Sequence, residues 1–119
     1  MRKIEQLMID VIYHQRETVL TAKTLCQQPK REVKIIDNTR IETGLREDGL
    51  IVTNVFLHDN FIAQYVAQSQ WAFKMCGWNS STTKSRINAL AQAFGRDGVY
   101  TKKGKHYSGD KEVNAHDWF

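Results

Sequence analysis

Residues 80–83 are four consecutive hydroxyl side chains, Ser80, Ser81, Thr82 and Thr83, and Lys84 and Arg86 follow directly. Hydroxyls, free backbone N–H groups and nearby cations at the start of a helix are the arrangement that binds phosphate. A plain helix start explains part of the same run. Ser80 or Ser81 as N-cap accepts a hydrogen bond from a backbone N–H two or three residues on. A cap accounts for one or two hydroxyls and leaves the others without a role. The cations are the second oddity, because the macrodipole makes a helix start positive and mildly disfavours Lys84 and Arg86 there. Two readings stay open: a redundant cap on a solvated face, or a site for an anion formed by Ser81, Thr82, Thr83, Lys84 and Arg86. Under the second, Lys84→Glu with Arg86→Glu leaves the fold intact and abolishes partner binding.

A second basic group lies in VYTKKGKHY, residues 99–107. Lys102, Lys103, Lys105 and His106 stand at the tip of an expected hairpin, with Tyr100 and Tyr107 beside them. Cations interleaved with aromatic rings on strands suit single-stranded nucleic acid, where bases stack and phosphates pair. Lysines also guard exposed strand edges against aggregation, which is the alternative use of the same residues. The charge distribution favours an anionic partner in this part of the chain. The protein has 119 residues and a formal net charge of +4. Residues 33–78 carry four Lys/Arg against five Asp/Glu, whereas residues 79–111 carry seven Lys/Arg against two Asp.

Other chemistry finds little support. His14, His58, His106 and His116 are not spaced with a second His, Cys or acid as metal ligands. His58-Asp59 and His116-Asp117 read as surface turns rather than activated pairs. Cys26 and Cys76 form no CxxC motif, so neither a structural zinc nor a redox pair is indicated; two reduced thiols are the leading reading and a single disulfide between them the alternative. GxSxG, P-loop and GxGxxG motifs are absent. The expectation is a non-enzymatic protein with no metal and no cofactor. The first fifteen residues are too polar for a signal peptide, and no apolar run approaches the ~20 residues of a membrane span. These features read as a soluble, cytoplasmic protein with no membrane partner.

The elements that must position these residues follow from periodicity. Ile4, Leu7, Met8, Val11 and Ile12 have the spacing of an amphipathic helix over 2–15, with Glu5 and Asp10 on its other side. Residues 16–28 are ambiguous, because Val19, Ala22, Leu25 and Cys26 have helical spacing while three threonines weaken it. From Glu32 the period becomes two. Val33, Ile35 and Ile41, with Asp37-Asn38 as a break between them, then Leu50–Leu57, Phe61–Ala67 and Trp71–Met75, form an antiparallel meander of four strands, with turns at Glu47-Asp48-Gly49 and His58-Asp59-Asn60. Ile87, Leu90, Ala91 and Phe94 make a helix from about Ser81 to Phe94, and Gly95 stands at its C′ position. Trp71, Phe73, Trp78 and Phe94 read as core, with Trp78 as a hydrophobic staple. The tail VNAHDWF ends on two aromatics and is expected to pack. The fold class is a single α+β domain, a small antiparallel sheet (meander plus C-terminal hairpin) packed against two or three helices.

The run CGWNSSTTKSRINAL, preceded by VFLHDNFIA, resembles a pattern in small proteins of tailed bacteriophages. There an "LHGN-I" hairpin precedes "GW-T-TT-SR-NAL" and a closing Lys/Gly/aromatic hairpin. The resemblance covers residues 50–107. Asp59-Asn60 stands here where the pattern favours Gly-Asn. It implies phage or mobile-element origin and an α+β fold, and it transfers no activity. The combined expectation is a phage accessory protein that binds an anionic partner, nucleic acid first, through Ser81, Thr82, Thr83, Lys84, Arg86, Lys102, Lys103 and Lys105. The rival is an inhibitor or modulator that binds a host protein through its sheet edge or aromatics. The two differ in salt behaviour and target. The sequence does not fix the oligomeric state.

Overall fold

The first helix, α1, spans Lys3–Thr24. It runs through the stretch that looked ambiguous. Thr18 and Thr24 donate their hydroxyls to the carbonyls of His14 and Leu20, 3.0 and 2.9 Å away. Their polar groups are satisfied within the helix itself, and Val19 and Ala22 supply the buried stripe. That stripe is rotated from the one the spacing suggested. Met8 and Ile12 are fully buried, whereas Leu7 is 44% exposed. Glu5, expected on the solvent side, is buried. The cause lies in the second helix, described below. The computed structural model describes residues 2–25, 31–76, 81–114 and 116–119.

Five strands follow in meander order: β1 Glu32–Ile36, β2 Thr39–Leu45, β3 Ile51–Leu57, β4 Asn60–Val66 and β5 Ala72–Phe73. The expected break at Asp37-Asn38 is a turn that separates β1 from β2, which makes five strands in the meander where four are expected. His58 and Asp59 both have positive φ, 49° and 64°. A two-residue type I′ hairpin loop requires this, and Asp tolerates it. A register shift after Val55 lets the adjacent residues Ile62 and Ala63 both face inward and be buried. The tail packs as expected. Phe119 and Phe73 exchange both backbone hydrogen bonds at 2.8 Å, so the last residue pairs alongside β5.

The second helix, α2, spans Ser81–Phe94, with Ile87, Leu90 and Ala91 buried. Gly95 has φ +73°, the left-handed conformation that ends a helix at low cost in glycine. Ser80 and Trp78, expected as cap and staple, lie outside the described residues. Both helices cover the same face of the meander, where Met8, Ile12, Ile87 and Leu90 meet Ile41, Val55 and Phe73 in one cluster. A polar layer crosses that interface. Gln15 donates to the Ile41 carbonyl at 3.0 Å and accepts from Thr43 at 2.8 Å, and Thr43 bonds Thr53 at 2.9 Å. Each group is partnered, so the layer fixes the helix against β2 without an unsatisfied donor.

The C-terminal strands β6 Tyr100–Lys102, β7 Lys105–Ser108 and β8 Lys111–Glu112 form a separate antiparallel sheet rather than extending the meander. Asn88 of α2 holds its entry. The Asn88 side chain accepts from the Val99 N–H at 2.6 Å and donates to the Val99 carbonyl at 3.0 Å.

Candidate nucleic-acid interface

The start of α2 does not present its residues as an anion site would require. Arg86 is 3% exposed. Its Nη1 donates to Glu5 Oε2 at 2.9 Å, and its Nε donates to Thr39 Oγ1 at 3.3 Å. Ser85 Oγ donates to the same Glu5 oxygen at 2.5 Å. Burial pushes the Glu5 carboxyl up. The Ser85 hydroxyl, the Arg2 N–H and the Arg86 guanidinium outweigh it and hold the group below its ordinary value. Glu5 is therefore an anion at neutral pH, and it neutralises Arg86 inside the fold. Arg86 is thus corrected from ligand-binding cation to structural partner, which also explains why Glu5 turns inward. Thr83 is buried as well and is not offered to solvent.

The remaining candidates reach the surface. Ser81 is exposed, and Thr82 and Lys84 are half-buried. Lys84 Nζ donates to Thr101 Oγ1 on β6 at 2.8 Å, so the helix start and the hairpin are brought together. The β6–β7 turn is Lys103-Gly104, with φ of 52° and 77°. Lys102, Lys103 and Lys105 are all exposed.

Register then decides what the hairpin displays. Tyr100 pairs with Tyr107, and Lys102 pairs with Lys105. Side chains alternate along a strand, so these four share one face, and Thr101 and His106 occupy the other. The tyrosine rings stack with centroids 5.7 Å apart. The Tyr100 hydroxyl donates to the Gly109 carbonyl at 2.9 Å, which fixes the ring while leaving the residue 47% exposed. Two rings and two ammonium groups thus lie side by side, with Lys103 at the tip. Glu112, opposite Tyr107 on β8, is the acid at the rim.

Among the described residues no hydrogen bond joins His58 to Asp59 or His116 to Asp117. Asp59 takes the Arg40 guanidinium at 2.9 Å, and Asp117 accepts from Asn114 at 3.0 Å. Cys76 is a free thiol that donates to the Phe61 carbonyl at 2.8 Å. Burial raises its pKa against the pull of Lys74. Cys26 lies outside the described residues. Among the described residues no three His, Cys, Asp or Glu side chains converge as metal ligands, and no helix is long and apolar enough to cross a membrane.

Sequence reasoning missed an aromatic strip on the face of the meander opposite the helices. Phe56 and Phe61 stack at 5.0 Å, and Trp118 meets Phe61 edge-on at 5.0 Å. Arg40 lies 4.2 Å above Phe56, and Lys74 lies 5.8 Å from the Trp118 ring centre. The signal was the alternation in β3. Thr53, Val55 and Leu57 point to the core, which sends Phe56 the other way.

The chain belongs to the Kyanoviridae Gp96 protein family, whose model matches residues 1–119, and it is a phage protein. No curated protein and no solved structure matches it.

Proposed function

We propose that this phage protein is an accessory factor, not a catalyst, and that it holds single-stranded nucleic acid on the tyrosine–lysine face of its C-terminal hairpin. The carrying observation is the register that puts Tyr100, Lys102, Lys105 and Tyr107 on one face. Tyrosine rings stack on bases whatever their identity, and lysines neutralise the phosphates between them. Lys103 extends the positive surface at the tip, while Lys84 braces the hairpin from its other face through Thr101. The expected behaviour is sequence-tolerant binding with strong salt dependence. Four phosphate contacts on a single strand imply a loss of roughly 50-fold in affinity between 50 and 200 mM salt. Fluorescence anisotropy with labelled single-stranded DNA and RNA, beside duplex controls, measures this. Lys102→Glu, Lys103→Glu and Lys105→Glu together should abolish binding and leave the melting temperature nearly unchanged. No binding by the wild-type protein at 50 mM salt, conditions that favour phosphate contacts, sinks the reading.

A second reading rests on β1. It is an edge strand of the meander, and its Val33 and Ile35 are 48% and 65% exposed. An edge with free backbone groups and apolar side chains suits strand addition by a host protein, as expected of an inhibitor or modulator. Capture of a host protein that Ile35→Lys abolishes and the hairpin substitutions spare would favour this reading.

A further inference from the structure

The free edge of β1 has a defined chemistry. β1 ends the five-stranded sheet, and among the described residues it pairs only with β2. The loop that joins them, Asp37-Asn38, has two residues, so the closing pair Ile36–Thr39 is hydrogen-bonded, and bonded pairs alternate from there. Glu32, Lys34 and Ile36 therefore direct their backbone groups at β2, and Val33 and Ile35 direct theirs away from the sheet. The side chains alternate in the same rhythm. Glu32 and Lys34 stand opposite Thr43 and Ile41, on the face that carries the helices. Val33 and Ile35 stand opposite Glu42 and Arg40, on the other face, and both are exposed.

Three observations say which strand this edge accepts. First, Glu32 and Lys34 carry opposite charges on one face, two positions apart, and neither joins any of the ion pairs among the described residues. Second, Lys34 is exposed on the edge itself. A charge there turns away an approaching strand unless that strand brings the opposite charge to the same point. Third, apolar surface flanks the free backbone groups on both faces. Val33 and Ile35 supply it on one. On the other, Leu7 and Val11 of α1 line a cavity of about 380 Å³ along β1, and Leu7 is 44% exposed.

We propose that β1 pairs with β1 of a second copy of this chain, antiparallel about a two-fold axis at Val33, so that two five-stranded sheets join into one. Symmetry leaves few registers, because both helix layers must stay on the same face. With the axis at Lys34, two like charges meet. With it at Ile35, Lys34 meets Ile36, and neither charge finds its opposite. With the axis at Val33, Val33 meets Val33, and Glu32 of each copy meets Lys34 of the other. Both charges are then neutralised at once. The outward N–H and C=O groups of Val33 and Ile35 pair with those of Val33 and Arg31 of the second copy. A foreign strand would need an acid and a base at this same spacing, and the chain itself carries them. The contact is short, so the dimer is a reversible one at micromolar concentration. It does not rest on the hairpin reading, and it takes the edge that the second reading gives to a host protein.

Sedimentation equilibrium of the full chain, from low micromolar to millimolar concentration, measures this, with circular dichroism to check the fold of each variant. The expected result is a reversible equilibrium of monomer and dimer. Lys34→Glu sets acid against acid at both ends of the contact, and Glu32→Lys sets base against base. Each should weaken the dimer roughly tenfold or more. An equimolar mixture of these two variants restores both opposite-charge pairs, so it should associate about as tightly as the wild type. A strand damaged by substitution would not recover on mixing, which separates lost pairing from lost fold. Lys102→Glu, Lys103→Glu and Lys105→Glu should leave the dimer unchanged. The proposal is overturned by a chain that stays monomeric throughout, by a dimer that neither charge change weakens, or by a mixture that associates no better than its two components. A monomeric chain would also leave the edge to a partner of another kind.

Discussion

Arg86 Nη1 stands 2.9 Å from Glu5 Oε2, both side chains are 3% exposed, and the two residues are 81 positions apart in the chain. This one contact joins the first turn of α1 to α2, and through Thr39 it reaches the start of β2. Removing a single partner leaves an uncompensated buried charge. Glu5→Gln or Arg86→Met alone should cost about 3–5 kcal/mol. Glu5→Leu with Arg86→Met should cost far less than the two single changes added, because the desolvation penalty disappears with both charges. Denaturant unfolding of the four proteins closes the cycle. Additive losses would mean that the pair is not coupled.

The same contact sets a pH dependence. The native Glu5 pKa lies below its ordinary value of 4.5. A depressed carboxylate contributes stability that is fully present above that value and is lost as pH falls through the native one. Thermal unfolding between pH 6 and pH 2 should therefore show destabilisation beginning near that ordinary value and growing as pH falls. In Glu5→Gln that acid slope should be shallower. An identical slope in both proteins would assign the acid sensitivity to other carboxylates, such as the exposed Asp48 held down by Arg46.

Charge reversal at the start of α2 separates its two cations. Lys84→Glu loses one exposed hydrogen bond to Thr101 and places an acid where the helix dipole favours it, so the fold should survive with little change. Arg86→Glu sets a second carboxylate against Glu5 in a buried site and should unfold the protein. The sequence alone treats the two positions as equivalent and expects the double change to leave the fold intact. Circular dichroism of the two single variants distinguishes these expectations directly.

What the sequence could show depended on whether the determining contact was local. The α2 stripe and Gly95 gave that helix its bounds, and the His58-Asp59 loop gave the β3–β4 hairpin, because both signals sit within a few residues. The Tyr100–Tyr107 face was legible for the same reason. Burial of Arg86 was not, since charge type carries no sign of depth and its partner lies on another helix. The orientation of α1 failed for the same cause. Glu5 had to turn inward to meet Arg86, and that rotated Leu7 outward.

Leu90 tests the assigned register of α2. It is fully buried within the central cluster. Leu90→Ala should cost about 2–5 kcal/mol, through lost transfer energy and the cavity left behind. In a domain of this size that lowers the melting temperature by several degrees per kcal/mol. A shift of only a degree or two would show that Leu90 is not at the sheet interface.

Gly98 controls how the hairpin is mounted on α2. A Cβ at this position would stand 2.1 Å from Asn88 Oδ1 and 3.0 Å from Asn88 Cγ. The side-chain end would have to move, but it is not free to do so, because it holds both backbone groups of the buried Val99. Gly98→Ala should therefore break that clasp and cost about 1–3 kcal/mol, the penalty for leaving buried donors and acceptors unpaired. Asn88→Ala removes the same two hydrogen bonds without steric conflict and should cost a similar amount. The double variant should be no worse than Asn88→Ala alone, since the added methyl no longer meets an amide. Hydrogen exchange at the Val99 amide should accelerate equally in all three. If the hairpin holds nucleic acid as proposed, affinity should fall with it although every lysine remains, because the tyrosine–lysine face loses its fixed mounting on α2. If the double variant shows the two losses added together, the Gly98 effect has another source and the clasp is not what seats the hairpin.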